Sequence, residues 1–126
     1  MKLLFRVAIG LSIFLGHCFP IYHNYRGGKG VIVSLVILSY LALPIAGAAA
    51  LIWLLVFCLF GRVSLASLIA AIGAAFTSYT VLATPEILLV HLLTIGLFFQ
   101  HRENIKRLLN GKEKALITPF ISRLLR

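Results

Sequence analysis

Charge is scarce in this sequence: only 12% of its residues are Asp, Glu, Lys or Arg. A water-soluble domain carries roughly 25%, so a soluble fold is excluded. Acid is scarcer still. Glu86, Glu103 and Glu113 stand alone against twelve Lys and Arg, and the formal net charge is +9. Cysteine is nearly absent, and Cys18 and Cys58 lie in apolar runs without a CxxC pair. They read as buried thiols, and no zinc-ligand spacing is present. No internal repeat or low-complexity segment occurs. The N-terminal apolar stretch follows Lys2 but lacks a small-residue cleavage site, so it reads as a retained span and not a signal peptide.

What fills the chain is hydrocarbon. Of its 126 residues, 61% are hydrophobic, and the mean hydropathy is +1.06. One domain fits this length, and the composition is that of an integral membrane protein. In a soluble protein the basic excess would suggest nucleic acid. Beside apolar spans it marks the cytoplasmic side of a bilayer, so anionic headgroups or phosphorylated substrates are the expected partners, with no nucleic acid.

The first apolar segment runs from about Leu3 to Phe19, the short end for a transmembrane helix at about 17 residues, and Pro20 stops it. Val31 to Phe60 follows without any charge. As one straight helix it would measure about 45 Å against a hydrocarbon core of about 30 Å. Pro44 lies near its middle and biases Leu43 away from helix. The run is therefore either one long kinked helix or two helices joined by a tight turn.

From about Ser64 to Leu82 the sequence is rich in Ala, Gly and Ser, which suits close helix packing in a membrane. Ala83-Thr84-Pro85-Glu86 reads as a turn, with Pro85 suited to the first position of a helix. A last span runs from about Ile87 to Phe99. If 31–60 holds two helices there are five spans, and loops 20–30 and 61–63 share one face with the C-terminus. That face collects most of the cations, so the positive-inside rule favours five spans with this face in the cytoplasm. Lys2 and Arg6 run against it. The fold class expected is all-α, a polytopic membrane helix bundle of about five transmembrane helices. The tail, 114–126, mixes apolar residues with Lys and Arg as an interfacial helix does, interrupted at Pro119.

Polar chemistry concentrates in a few places. Gly27-Gly28-Lys29-Gly30 does not meet the P-loop pattern, because Val31 follows Gly30. Its glycines can still let backbone N–H groups converge on an anion, with Lys29 as a point charge. A flexible basic loop is the plainer reading. His17, one turn from a helix end, reads as a hydrogen-bonding partner of a neighbouring helix. On a continuing helix, Gln100, His101, Asn104 and Arg107 form one polar stripe; the alternative is a basic helix end anchored at headgroups. Ser64 and Ser67 cap or begin the fourth helix, and a helix N-terminus beside a basic loop is an anion site.

Three blocks together carry a resemblance. They are Gly16-His17-x-Phe19-Pro20 with Gly27-Gly28-Lys29-Gly30-Val31, then Arg62-Val63-Ser64-Leu65-Ala66-Ser67, then His101-Arg102-Glu103-Asn104-Ile105-x-Arg107-Leu108-Leu109-x-Gly111-x-Glu113. In order and spacing they resemble the bacterial acyl-phosphate:glycerol-3-phosphate acyltransferases of the PlsY type. The resemblance implies an inner-membrane, multi-pass enzyme of phospholipid synthesis with its active face in the cytoplasm. It implies acyl transfer from acyl phosphate to glycerol 3-phosphate, giving lysophosphatidic acid, with no cofactor and no metal.

Residues 1–113 then form the membrane-embedded acyltransferase-like domain. Gly27, Gly28, Lys29 and Gly30 match the family's phosphate-binding loop, with Arg107 as a further phosphate ligand. His101, Asn104 and Ser67 match its catalytic residues, His101 serving as base or as hydrogen-bond donor. Two earlier spans and a first Gly-Ser-Gly-Asn motif of the family have no counterpart in this sequence. A separately encoded N-terminal part or a homodimer is the expected complement. The rival expectation is a non-catalytic member that binds phosphorylated lipid precursors or a membrane partner.

Overall fold

Five apolar helices, a short sixth and a shorter seventh make up residues 2–125, the residues described by a computed structural model of the chain, and no strand occurs among them. The apolar helices are α1 (Lys2–Cys18), α2 (Val31–Leu41), α3 (Leu43–Phe60), α4 (Val63–Val81) and α5 (Thr84–Gln100). The other two are α6 (Arg102–Leu109) and α7 (Phe120–Leu124). Lys2–His23, Leu43–Phe60 and Val63–Val81 are helical stretches long and apolar enough to cross a membrane, and α2 and α5 are shorter apolar helices. The fold is the all-α membrane bundle that the hydropathy demands.

The charge-free run divides into two helices. Its break is Ala42, in extended backbone at φ −158° and ψ 107°, one residue before the Leu43 that Pro44 points to. Pro44 lies in the first turn of α3, where its missing N–H leaves no hydrogen bond unmade. Starting a new helix one residue early satisfies the proline without a kink. With its 11 residues, α2 rises only about 17 Å and is the short leg of the bundle. It leaves the basic face at Val31, and α3 returns to that face at Phe60.

Helix α4 is the centre. Ala66, Ser67, Ala70, Ala71, Ala74 and Ser78 are buried along it, and it packs chiefly on α3 and α5. Small side chains let neighbouring backbones approach, which is how helices associate where no hydrophobic force separates protein from lipid. Phe14, Ile37, Leu89, Leu93 and Leu97 form one buried cluster among α1, α2 and α5. Leu38, Ile45, Ala49, Ala74 and Val90 form a second.

The two ends of the bundle differ. Loop 19–30, the α3–α4 junction and everything after Gln100 gather at one end. At the other, Arg6 pairs with Glu86 at 3.2 Å and lies over the Tyr40 ring at 5.9 Å. Arg6, one of the two cations that run against the charge rule, is thus tied to a buried carboxylate, fastening α1 to the first turn of α5.

Candidate active site

The glycine loop is shaped by the end of α1. After Pro20 a 3-10 turn covers Ile21–His23, and Asn24 and Tyr25 follow at φ 51° and 59°. These left-handed residues reverse the chain, and the Gly27 N–H donates to the Cys18 carbonyl at 3.1 Å. Gly28 passes directly over the His17 ring, where a Cβ would overlap the imidazole. Its carbonyl accepts from Gln100 Nε2 at 3.1 Å. Gly30 caps α2 at φ +81° with the Phe14 ring beneath it, a conformation that glycine adopts freely. The amides of Gly28, Lys29 and Gly30 have no hydrogen-bond acceptor among the described residues. They lead into the N-terminus of α2, whose dipole favours an anion.

Lys29 points from this loop into a polar cavity of about 230 Å³, shared with Ser64, His101, Asn104, Glu113 and Lys114. Its ammonium donates to Asn104 Oδ1. The Asn104 amide is oriented by charge on both sides: its oxygen faces Lys29 and its Nδ2 donates to Glu113 Oε1 at 2.7 Å. Ser64 donates to the same carboxylate oxygen at 2.7 Å, and Arg107 Nε to Oε2 at 2.7 Å. The Arg62 guanidinium adds a bond to the Glu113 backbone carbonyl at 3.1 Å. Glu113 is therefore the hub.

Loss of water would raise the Glu113 pKa, but hydrogen bonds from Asn104, Arg107 and Ser64 and the Arg107 charge outweigh it. The carboxyl is lowered from 4.5 to about 2. It is ionised at any physiological pH and cancels only part of the charge of Lys29, Arg62, Arg107 and Lys114.

His101 joins α5 to α6 and is 2% exposed. Its Nδ1 lies 2.8 Å from the Leu97 carbonyl. A carbonyl only accepts, so Nδ1 carries the proton and Nε2 keeps its lone pair. Burial, the largest effect, lowers the pKa below the ordinary 6.5; the Leu97 bond opposes this, the Lys29 charge adds to it, and the Glu113 charge opposes it. The ring is neutral at pH 7, with a free basic nitrogen.

Lys29, His101 and Asn104 thus come together around one cavity, with Gly27, Gly28 and Gly30 forming the loop that carries Lys29. Arg107 is half exposed and touches the site through Glu113. Ser67 is elsewhere. One turn beyond Ser64, it donates to the Val63 carbonyl at 2.8 Å and accepts from Trp53 Nε1 at 3.0 Å. It lines a separate apolar cavity of about 350 Å³, between α2, α3 and α4. Ser64 takes the place in the polar site, although its hydroxyl caps no helix: Arg62 is the N-cap of α4 and makes no side-chain cap. Glu113 is a site residue whose role the spacing does not reveal; Ser64, read as beginning the fourth helix beside the basic loop, meets the site through the Glu113 carboxylate. The one signal for Glu113 is scarcity: it is one of three acids in the chain, and it closes the third polar block. The His17 ring lies against Gly28 of the glycine loop, and among the described residues it makes no hydrogen bond to a neighbouring helix. Among the described residues no group of three or more His, Cys, Asp or Glu is placed to hold a metal.

This arrangement can bind phosphorylated ligands and accept a proton beside them, next to an apolar chamber. Known proteins resemble the chain in sequence and in fold. The sequence model for glycerol-3-phosphate acyltransferase matches residues 1–111. The glycerol-3-phosphate acyltransferase of Jannaschia sp. (strain CCS1) is 38% identical over 107 residues, which is 85% of this chain and 53% of that protein. The chain spans about half the length of the curated relatives it matches. A crystal structure of PlsY, an integral membrane glycerol 3-phosphate acyltransferase in its glycerol 3-phosphate form, superposes with a TM-score of 0.85 at 31% identity. It covers 95% of this chain and 60% of its own. The lysophosphatidic acid form superposes equally, with a TM-score of 0.85 at 33% identity over 89% of this chain and 58% of that one. With its polar blocks gathered on one face of such a bundle, the chain belongs to the glycerol-3-phosphate acyltransferase family.

Proposed function

We propose that the polar cavity is an acyl-transfer site that takes a fatty acyl group from acyl phosphate to glycerol 3-phosphate, giving lysophosphatidic acid and phosphate. The observation that carries this reading is the meeting of two unlike chambers. Val31 lines both the cationic cavity and the apolar one. A substrate with a phosphate head and a hydrocarbon tail fits that junction, the head at Lys29 and the unpaired amides of 28–30, the tail among Leu35, Leu38 and Ala70. Arg107 adds positive charge at the rim.

The chemistry needs little more. The 1-hydroxyl oxygen of glycerol 3-phosphate attacks the acyl carbon, the bond from that carbon to the phosphate oxygen breaks, and phosphate leaves. His101 Nε2 is the free lone pair positioned to take the hydroxyl proton. Asn104 and Lys29 stabilise charge on the oxygens. Ser67 orients Trp53 at the wall of the apolar chamber. No cofactor enters. The clustering of cations at one end supports an inner-membrane location with this face in the cytoplasm. A separately encoded N-terminal part or a second copy is the partner this reading proposes beside the two substrates.

The cationic cavity by itself also serves a second reading, a non-catalytic member that binds phosphorylated lipid precursors. Both readings require the phosphate site. Calorimetric titration of the chain in lipid nanodiscs with glycerol 3-phosphate tests it. Lys29→Ala is expected to bind at least about tenfold more weakly, the loss of one charge-assisted hydrogen bond. No heat of binding from folded wild-type protein, or equal binding by Lys29→Ala, overturns the phosphate site. Turnover then separates the two readings.

A further inference from the structure

Beyond the reach of the family match, which ends at 111, the chain does not simply trail away. Gly111 turns it back at φ +66°, and Glu113–Ile117 crosses the basic end of the bundle as a strap. Arg62 holds the Glu113 carbonyl, and the Leu116 N–H donates to the Gly61 carbonyl at 2.8 Å. Gly61, at φ +70°, lies so close that a Cβ there would strike the Ile117 carbonyl. Lys114 and Leu116 form one wall of the polar cavity. Pro119 then starts α7, which packs on α3.

The strap and α7 are apolar where nothing covers them. Leu116 is 72% exposed and Leu124 69%, and Phe120 and Leu125 are exposed as well. Phe120, Ile121 and Leu124 share one side of α7, with Arg123 beside them. The segment lies where α3 leaves the apolar bundle, and Lys112, Lys114 and Arg123 accompany it. A greasy edge with a cationic fringe at the end of a membrane helix matches an anionic bilayer surface in both polarity and charge.

We propose that residues 112–125 dock on the anionic phospholipid surface, and that this docking holds the strap in place as a wall of the polar cavity. Lipid charge is then read by the site through the strap, since Glu113 at its start orients Asn104, Ser64 and Arg107. Bonds to Gly61 and Arg62 anchor one edge; the bilayer anchors the other.

Hydrogen–deuterium exchange on the full chain in nanodiscs tests this, comparing phosphatidylcholine alone with a mixture containing about one-third phosphatidylglycerol. Each basic residue near an anionic surface strengthens association roughly fivefold. The amides of 114–125 are therefore expected to exchange at least about tenfold more slowly in the anionic discs, and high salt is expected to abolish the difference. Amides of α4 serve as an internal control and should not change. Replacing Phe120 and Leu124 together by Asp is expected to remove the protection while α4 stays protected. Equal exchange of 114–125 in the two lipids overturns the proposal with wild-type protein alone, whether or not the variant folds. Protection that is equal in the variant overturns the apolar part of the contact.

Discussion

Glu113 receives Ser64, Asn104 and Arg107 on its two oxygens, so removing it leaves three donors without an acceptor. Glu113→Ala is expected to destabilise the fold by on the order of 1–3 kcal/mol, read as a lowered thermal midpoint in nanodiscs. Glu113→Gln, which keeps an acceptor and the shape, should lose less. The carboxyl also sets an acid limit. Its pKa is about 2 in the folded protein against an ordinary 4.5, so the unfolded chain binds more protons between those values. Stability from this group is complete above about pH 4.5 and is lost as pH falls toward 2. A series of melting curves from pH 6 down to pH 2.5 should show the decline in wild type and a flatter course in Glu113→Gln.

His101 works differently, through a nitrogen it keeps unprotonated. If acyl transfer needs that lone pair, His101→Ala should lower kcat by about 10²–10⁴-fold and move KM for glycerol 3-phosphate much less. Lys29→Ala should raise KM for glycerol 3-phosphate as well as lower kcat, because Lys29 both holds the phosphate and stabilises charge on the oxygens. Single-turnover and steady-state rates on both variants separate the two roles.

At the scale of elements, Phe14 connects the bundle to the site. Its ring lies under Gly30 and against Gly96 of α5, and the residue is 2% exposed. Phe14→Ala should destabilise the fold by about 3–5 kcal/mol, on the scale of other buried aromatics, and so lower the thermal midpoint. It should also weaken glycerol 3-phosphate binding, because Gly30 loses its support. Calorimetry on the refolded variant checks the second effect separately from the first.

The helices themselves were legible because lipid imposes length and apolarity on anything that crosses it. Pro44 correctly implied a break, and its place at Ala42 depended on which residue could start the new helix. Ser64 and Ser67 were harder. Both lie on one face of α4, a turn apart, and only the strap decides that Ser64 meets a carboxylate while Ser67 meets Trp53. The Gly111 reversal that brings Glu113 home follows no hydropathy period, and the Arg6–Glu86 pair joins residues eighty positions apart. Neither contact leaves a local trace in the sequence.

For the molecule as a whole, the polarity of its two ends is the organising fact. Loop 19–30, Arg62 and the segment after Gln100 occupy one end, and the Arg6–Glu86 pair occupies the other. In a background with Cys18 and Cys58 replaced, Arg26→Cys should react with a membrane-impermeant maleimide only when the cytoplasmic face is open. Ala83→Cys should react from the outside. The reverse pattern would invert the assigned orientation.

Phosphorus NMR of nanodisc-embedded chain with palmitoyl phosphate and glycerol 3-phosphate tests the central claim most directly, with the chain taken alone and with the proposed N-terminal partner. Acyl phosphate should disappear as phosphate and lysophosphatidic acid form in equal amounts, and Lys29→Ala and His101→Ala should suppress both signals. Folded wild-type protein that binds glycerol 3-phosphate yet forms no lysophosphatidic acid in either setting would contradict acyl transfer by this site.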